Sequence, residues 1–176
     1  MGQFPDRYNN PRMAKAISLF TLAQDVEQGI IFELGTYHGC GTIALAWGVK
    51  AGQETGNWDK DMVPYVITCD DYTEKKGWIG EPYGPEDRQI FLYSCARARV
   101  NVPLMEMNEA ALLEQWVKMP LFIGLLFWDI GGARLPSDFD RWSPLVMPGG
   151  VFAIHDTADK KFGTEAVIER AKQHGW

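Results

Sequence analysis

Residues 30–39 read IIFELGTYHG, and the expected architecture follows from this stretch. It opens with a short apolar run, Ile30 to Leu34, which stops at a glycine and leads into a glycine-rich turn. An apolar segment from Thr42 to Val49 comes next. This order is typical of a buried strand, a tight turn and a helix. The sequence therefore predicts that a βα unit begins at Ile30.

The segments on either side repeat this rhythm. Asn10-Pro11 is a signal for a helix start, and apolar residues then recur at helical spacing until Gly29. Further along, the pattern predicts a helix at 137–145, with Ser137 as its cap and Asp140 three residues later. The remaining predicted strands are 65–69, 103–107, 122–128 and 150–154, and the remaining helices are 86–99, 109–118 and 164–173. Five strands alternating with helices predict a doubly wound α/β fold with a mostly parallel sheet covered on both faces.

The composition limits the number of domains and the kinds of partner. The 176 residues suit one domain, so we expect 1–176 to form a single domain with 1–29 as an N-terminal helical segment. The net charge is -6 and the sequence has no Lys/Arg cluster, so we expect no nucleic-acid partner. The longest apolar stretch has about half the roughly 20 residues of a membrane-spanning helix, and the first residues lack a secretory signal pattern. We therefore expect a cytoplasmic protein without a membrane partner, with the cysteines as core fillers: Cys40, Cys69 and Cys95.

The glycine-rich turn and the residues at the predicted strand ends indicate a ligand site. In an open parallel sheet, ligands bind outside the carboxyl ends of the strands, near the point where the strand order reverses. Thr42 is not preceded by lysine, as a P-loop requires, and Glu33 stands where a dinucleotide fingerprint has its first glycine. A carboxylate repels a pyrophosphate and suits an amino group, so the sequence favours a cationic cofactor without phosphate.

Four segments, taken in order, carry a resemblance to a known family. They are FELGTYHG at 32–39, VITCD at 66–70, LFWD at 126–129 and WSPLVMPGGVFAIHD at 142–156. The chain resembles the class I S-adenosylmethionine-dependent methyltransferases, in particular the small-molecule O-methyltransferase group similar to macrocin O-methyltransferases and cephalosporin hydroxylases. The resemblance implies a Rossmann-like fold from Ile30 onward. Because the family's sheet normally has two further strands, we expect this chain to lack the last C-terminal strands and to form a homo-oligomer through the open sheet edge.

The resemblance also implies which residues contact the S-adenosylmethionine cofactor. Those at the turn would line its methionine part, and Asp70 would accept hydrogen bonds from the ribose hydroxyls. Asn108 would lie near the adenine. The full predicted set of cofactor-binding residues is Glu33, Gly35, Thr36, Gly39, Asp70, Asn108 and Asp129.

Asp129, His155 and Asp156 are expected to converge at the ends of the fourth and fifth strands and to be the catalytic residues. They would either hold a divalent cation such as Mg²⁺, with Asp129 and Asp156 as its ligands, or let His155 take a proton directly from a hydroxyl. The predicted function is methyl transfer to a hydroxyl of a small molecule. The chain departs from the family at Ile130-Gly131-Gly132, where a metal or substrate ligand is expected to be missing.

Several alternatives stay open at this point. The departure after Asp129 also suits a methyltransferase-like binding or scaffold protein without catalysis, and the three polar residues would then be ordinary strand-end caps. A nicotinamide oxidoreductase shares the doubly wound architecture, but Glu33 and the incomplete glycine triplet argue against it. The aromatics of the irregular segment 70–85 would form a lid over substrate or pack on the sheet: Tyr72, Trp78 and Tyr83.

Overall fold

A five-stranded parallel sheet with helices on both faces forms the centre of the computed structural model, which describes residues 11–55, 65–73, 75–76, 82–118, 122–131, 134–157 and 162–176. The strands of this sheet are β1 (Ile30–Leu34), β2 (Val66–Asp70), β5 (Leu104–Glu106), β6 (Ile123–Trp128) and β7 (Val146–Ile154). Two short strands, β3 (Lys75–Lys76) and β4 (Pro82–Tyr83), form a separate antiparallel pair. The helices are α1 (Pro11–Gln24), α2 (Cys40–Thr55), α3 (Pro85–Ala98), α4 (Glu109–Trp116), α5 (Pro136–Trp142) and α6 (Thr164–Gln173), and a 3-10 turn over Ser143–Leu145 joins α5 to β7.

The strand order of the central sheet is β5-β2-β1-β6-β7, with every neighbouring pair parallel. All five residues of the central strand β1 are buried. From β1 the chain steps outward to β2 and β5, and it then returns to the other side of β1 through β6. The strand order therefore reverses between β1 and β6, where a doubly wound sheet binds its ligand. The predicted fold class is confirmed.

Each face of the sheet has its own apolar core. Because successive strand residues point to opposite faces, Ile31 belongs to one core and Phe32 to the other. The first core joins the sheet to α1 and α2, and its buried residues include Leu19, Leu45 and Phe127. The second core joins the sheet to α4, α5 and α6 through the buried residues Leu112, Trp116, Phe139, Trp142 and Val167. Glu33 lies on the same face as Ile31 and therefore points toward α2.

Helix α1 packs directly on the backbone of α2. A Cβ atom added to Gly48 would lie 2.2 Å from the carbonyl oxygen of Phe20 and 2.9 Å from the Cβ of Ala23. Only a glycine allows the two helices to approach so closely at this position. This contact fixes α1 beside the sheet and lets its N-terminal half reach the carboxyl ends of the strands.

Several predicted boundaries differ from the observed ones, and three of these differences have a clear physical reason. Helix α1 ends at Gln24 and does not continue to Gly29, which has a φ of +86° and passes close to the backbone of Gly124. Strand β7 begins at Val146 and not at residue 150, because an edge strand tolerates Pro148 in its ladder. Residues 1–10 of the predicted N-terminal helical segment lie outside the described residues, and the single domain stays a prediction.

The third wrong boundary concerns the start of α5. The helix begins at Pro136, and the residue that satisfies its first turn is Asp138, whose Oδ2 accepts the backbone N–H of Leu135 at 2.9 Å. Asp140, expected to complete the cap of Ser137, instead accepts two hydrogen bonds from Arg170 of α6, at 2.8 and 2.9 Å. Charged side chains thus join α5 to α6.

Other side-chain predictions have mixed outcomes. Tyr72 and Tyr83 are buried, with ring centroids 5.7 Å apart, and they pack with Phe91 and Cys95 of α3, while Trp78 lies outside the described residues. The choice between a lid and a packed segment stays open. Cys69 and Cys95 are buried as expected, whereas the core assignment of Cys40 is wrong because this residue is exposed. In the described ranges, no helix combines the length and the apolar character needed to cross a membrane.

Candidate active site

The turn between β1 and α2 passes directly over the end of β6. Gly35 has a φ of +89°, and a Cβ there would lie 2.3 Å from the carbonyl oxygen of Asp129. Gly39 has a φ of +87°, and a Cβ there would lie 2.8 Å from the ring of Phe91. Both positions therefore require glycine, for its backbone freedom and for the lack of space. The backbone N–H of Asp129 donates to the carbonyl of Leu34 at 2.8 Å and closes the contact.

Asp70, at the carboxyl end of β2, holds this turn in place. Its Oδ2 accepts the backbone N–H groups of Thr36 at 2.9 Å and of Tyr37 at 3.0 Å. Tyr37 has a φ of +49°, and its carbonyl accepts a hydrogen bond from the Tyr72 hydroxyl at 2.6 Å. Asp70 thus organises the turn, a role that the sequence did not reveal. Its predicted contact with ribose hydroxyls stays a prediction.

A cavity of about 380 Å³ opens at the carboxyl ends of β1, β2 and β5. Its volume lies in the usual range for small-molecule sites. Three predicted cofactor residues line it: Gly35, Asp70 and Asn108. The other predicted residues are not among its lining residues: Glu33, Thr36, Gly39 and Asp129. The lining residues that the sequence did not single out are Leu34, Cys69, Asp71, Met107, Glu109, Ala110 and Ile130.

Asn108 and Glu109 form the wall of the cavity at the start of α4. The Asn108 Oδ1 accepts the backbone N–H of Ala111 at 2.9 Å and caps the helix. Glu109 accepts a hydrogen bond from the indole N–H of Trp142 at 2.5 Å. Burial raises the pKa of Glu109, and the Trp142 hydrogen bond opposes that rise. Glu109 directly follows a predicted site residue, so its position in the sequence could have indicated it.

Glu33 is buried between β1, β2 and α2. Its side chain is only 1% exposed, and its Oε2 accepts hydrogen bonds from the hydroxyls of Thr42 and Thr68, the latter at 2.8 Å. Burial raises the pKa of Glu33 to about 7, although both hydroxyls act to lower it. A Cβ atom added to Gly41 would lie 2.3 Å from the Oε1 of Glu33, so the backbone of α2 packs directly against this carboxyl group. The observed partners of Glu33 are protein hydroxyls, and its contact with the cofactor amino group stays a prediction.

Asp129, His155 and Asp156 come together, as predicted, where β6 and β7 end. The His155 Nδ1 lies 2.8 Å from the Asp129 Oδ1 and 3.1 Å from the Asp156 Oδ1. Asp156 has a φ of +56°, a backbone conformation that residues other than glycine rarely adopt and that clusters at functional sites. The structure therefore supplies an imidazole flanked by two carboxylates. The catalytic and metal-binding roles of these residues stay predictions.

A fourth residue, Lys15 of α1, joins this cluster. Its Nζ donates to the Asp129 Oδ2 and lies 5.2 Å from the centroid of the Phe127 ring. Burial alone would raise the pKa of Asp129, but His155 and Lys15 outweigh it and lower that pKa below its usual value. Sequence reasoning missed Lys15, because 114 positions separate it from Asp129 and no local pattern connects them.

The donor set of this cluster suits a divalent cation only in part. One ligand atom from each of Asp129, His155 and Asp156 lies within 4.8 Å of the others, and carboxylate oxygens are preferred Mg²⁺ ligands. The ammonium of Lys15, however, already pairs with one of the Asp129 oxygens. The residues therefore fit a metal at Asp129 only if Lys15 moves away.

Arg134 fixes the backbone around the cluster. It is 4% exposed and donates to the carbonyl of His155 at 2.9 Å and to that of Ile130 at 3.2 Å. Its guanidinium also lies over the Trp128 ring, 5.8 Å from the centroid. Burial lowers the pKa of Arg134. This arginine connects the segments that follow β6 and β7, and nothing in its sequence context pointed to that role.

Comparison with known proteins places this geometry in a family. The model of a methyltransferase domain matches residues 32–157, while no protein of curated function matches the chain. One similar structure is an O-methyltransferase from Bacillus cereus in complex with S-adenosylhomocysteine (TM-score 0.63, 19% identity, 93% of this chain and 69% of that one). A second is the S-adenosylhomocysteine-bound methyltransferase PaMTH1 from Podospora anserina (TM-score 0.62, 13% identity, 97% of this chain and 73% of that one). A third is the O-methyltransferase TomG from Streptomyces achromogenes with S-adenosylmethionine (TM-score 0.59, 16% identity, 91% of this chain and 67% of that one).

The family model and the solved structures both agree with the resemblance found in the sequence. At these identities the solved structures show the fold, and the family model covers most of the chain, from the end of β1 to the residues after β7. The macrocin-like and cephalosporin hydroxylase-like subgroup stays a prediction. The chain belongs to the methyltransferase-domain family and is a class I S-adenosylmethionine-dependent methyltransferase.

Proposed function

We propose that this methyltransferase transfers the methyl group of S-adenosylmethionine to a hydroxyl of a small molecule at the cluster of Asp129, His155 and Asp156. The observation that carries the proposal is the position of this cluster directly beside the cavity. Gly35 and Ile130 line the cavity, and Asp129 touches the first and precedes the second in the chain. A cofactor in the cavity would therefore have its reactive end next to the imidazole.

The cavity suits the ribose and the adenine of the proposed cofactor. Asp70 stands at the end of β2, where a carboxylate can accept hydrogen bonds from two ribose hydroxyls. Asn108 and the apolar Met107 stand at the end of β5, where an adenine would bind. Among similar structures, the bacterial TomG enzyme is an O-methyltransferase bound to S-adenosylmethionine, which supports the same cofactor and a hydroxyl acceptor here.

His155 is the proposed base of the reaction. Its Nδ1 faces the carboxylates of Asp129 and Asp156, so its Nε2 would take the proton of the acceptor hydroxyl. The acceptor oxygen then forms a bond to the methyl carbon while the bond from that carbon to sulfur breaks, and S-adenosylhomocysteine leaves. Asp129 would orient the imidazole and stabilise its charged form. Positioning of the two reactants supplies much of the remaining rate enhancement.

A divalent cation bound at the same cluster is the alternative to His155 as the group that activates the acceptor hydroxyl. Held by Asp129 and Asp156, Mg²⁺ would lower the pKa of a bound hydroxyl. Cytoplasmic location and self-association through the open sheet edge likewise remain proposals, supported by the composition and by the exposed edge positions of β5 and β7.

The test compares cofactor binding with turnover. S-adenosylmethionine is titrated calorimetrically into the wild-type protein and the variant His155→Gln, with NAD as a control ligand. Transfer of labelled methyl groups is then measured over a panel of phenols and sugars. We expect His155→Gln to bind the cofactor as the wild type does and to lose about 10²- to 10⁴-fold in turnover.

The matched control for this test is His174→Gln. His174 is a half-exposed histidine after α6 whose Nε2 lies 3.6 Å from Asp140, away from the cavity. We expect this variant to keep both binding and turnover. Full turnover in His155→Gln would remove the proposed base, and absence of S-adenosylmethionine binding by the folded wild type would contradict the proposed cofactor site.

A further inference from the structure

Lys15 is a charged residue of the site to which the proposed reaction gives no role. It is 23% exposed, and it comes from α1 rather than from the end of a strand. Its ammonium pairs with the Asp129 Oδ2, while the other oxygen of that carboxylate lies 2.8 Å from the His155 Nδ1. Asp129 is thus bracketed by an ammonium on one side and an imidazole on the other.

The surroundings of Lys15 favour a fixed cation. The Phe127 ring is 3% exposed and lies 5.2 Å below the Nζ, so an aromatic face contributes to holding the ammonium in place. Phe127 also contacts His155, with ring centroids 6.3 Å apart in an edge arrangement. One residue of β6 therefore supports both the ammonium and the imidazole.

The charge balance of the cluster changes with Lys15. Counting both carboxylates as ionised and the imidazole as neutral, Asp129 and Asp156 carry two negative charges. The guanidinium of Arg134 interacts with both carboxylates from the backbone side, and Lys15 adds a positive charge directly on Asp129. A divalent cation would need the same Asp129 oxygen that Lys15 occupies, and it would be repelled by the ammonium. The ammonium and a metal at Asp129 therefore exclude each other.

We propose that Lys15 is the resident cation of this site: its ammonium takes the place against Asp129 that a divalent metal would occupy, and it binds the acceptor oxygen. An ammonium has three N–H donors, and within the described residues one of them is used, on Asp129. A second N–H donates to the oxygen that attacks the methyl group and stabilises its negative charge. Since an ammonium is a compact point charge, the site takes a single acceptor oxygen and needs no chelating pair of neighbouring oxygens.

The exclusion of metal can be measured without any turnover. Mn²⁺ alone is titrated into the wild type, Lys15→Met, Lys15→Arg and the double variant Lys15→Met with Asp129→Asn, and binding is followed by electron paramagnetic resonance. We expect Lys15→Met to bind Mn²⁺ at least about tenfold more tightly than the wild type and Lys15→Arg, because its carboxylates lose their internal cation. The double variant is expected to lose this gain.

The matched control is Lys50→Met on α2, a lysine that is 72% exposed and lies 4.0 Å from Glu54. It should leave Mn²⁺ binding unchanged. If Lys15→Met does not fold, as judged by circular dichroism, Lys15→Gln replaces it as the neutral variant. Equal Mn²⁺ affinity in the wild type and the neutral variant, whether tight or undetectable, would overturn the proposal.

The proposed role of Lys15 in catalysis rests on the proposed function, and turnover measurements test it separately from metal binding. With an acceptor from the panel, we expect wild-type turnover to be unaffected by a chelator, and Lys15→Met to show a raised KM for the acceptor together with a lower kcat. Lys15→Arg should retain part of both. A chelator that abolishes wild-type turnover would overturn the resident-cation proposal while leaving methyl transfer intact, whereas a failure of S-adenosylmethionine binding would count against the proposed function alone.

Discussion

Replacing Glu33 with glutamine should remove a pH dependence from the stability of this protein. The carboxyl group is buried among β1, β2 and α2 and accepts hydrogen bonds from Thr42 and Thr68. Glutamine keeps the length of the side chain and an oxygen that can accept such a bond, but it carries no charge at any pH. The substitution therefore isolates the cost of ionising a carboxyl group inside the sheet.

The magnitude follows from the pKa of Glu33, which burial raises from 4.5 to about 7. Below pH 4.5 the group holds its proton in both the folded and the unfolded state. Between pH 4.5 and 7 only the folded state holds it, so the free energy of unfolding falls as the pH rises through this window. At about 1.4 kcal/mol per pKa unit, the loss amounts to about 3 kcal/mol and is complete above pH 7.

Urea unfolding of the wild type and Glu33→Gln at pH 4.5, 6, 7 and 8 measures this effect. We expect the stability of the variant relative to the wild type to increase by about 3 kcal/mol from pH 4.5 to pH 8, because the other titrating groups cancel in the difference. Glu54→Gln, at a position on α2 whose side chain is 69% exposed, serves as control and should show no such trend. A difference that stays constant with pH would refute the reasoning. Calorimetry on the same variant separates the two roles of Glu33, since loss of S-adenosylmethionine binding would indicate a direct ligand contact.

Four other substitutions test contacts in and around the site, with Gly131→Ala as the matched control for Gly48→Ala. Asp70→Ala should weaken S-adenosylmethionine binding by about tenfold to a hundredfold in calorimetry, because two backbone N–H groups of the turn lose a charged acceptor; unchanged affinity would contradict this. Gly48→Ala should lower the free energy of unfolding in urea by about 2 kcal/mol, since overpacking against α1 outweighs the gain in helix propensity. Gly131→Ala, with nothing within 4 Å of the added methyl, should stay within about 0.5 kcal/mol, and equal effects of the two changes would speak against the close helix contact. Trp142→Phe should cost about 1–3 kcal/mol in the same assay, because the partly buried Glu109 loses its N–H donor; a neutral result would mean that water replaces the indole.

The architecture could be predicted from the sequence because its strands are continuous apolar runs. A run such as residues 123–128, buried throughout, has few alternatives to a central parallel strand. The boundaries were less accurate where tertiary contacts overrode local signals. The predicted strand 150–154 left out Pro148, yet this residue lies inside β7, because the open edge of that strand does not need every N–H.

The candidate site was predictable only for residues at strand ends. Asp129, His155 and Asp156 follow the last residues of two strands, so the parallel sheet alone brings them to one edge. Lys15 and Arg134 reach the same place from a helix and from a connecting segment, and their positions depend on packing that no local pattern encodes. Glu33 also lies at a strand end; its observed partners are the hydroxyls of Thr42 and Thr68, and its contact with the cofactor stays a prediction.

Lys15 lies on helix α1, outside the part of the chain that the family model matches. The family match covers residues 32–157, so the strand ends that hold Asp129, His155 and Asp156 belong to the shared part of the domain. Helix α1 precedes the matched region, and it is held in place by its own contact with α2 at Gly48. The charge of the cluster therefore depends on Lys15, a partly exposed residue of a helix that lies outside the matched region. On this view a change confined to α1 converts an ammonium site into a metal site, and the Mn²⁺ titration of Lys15→Met is the direct measurement of that conversion.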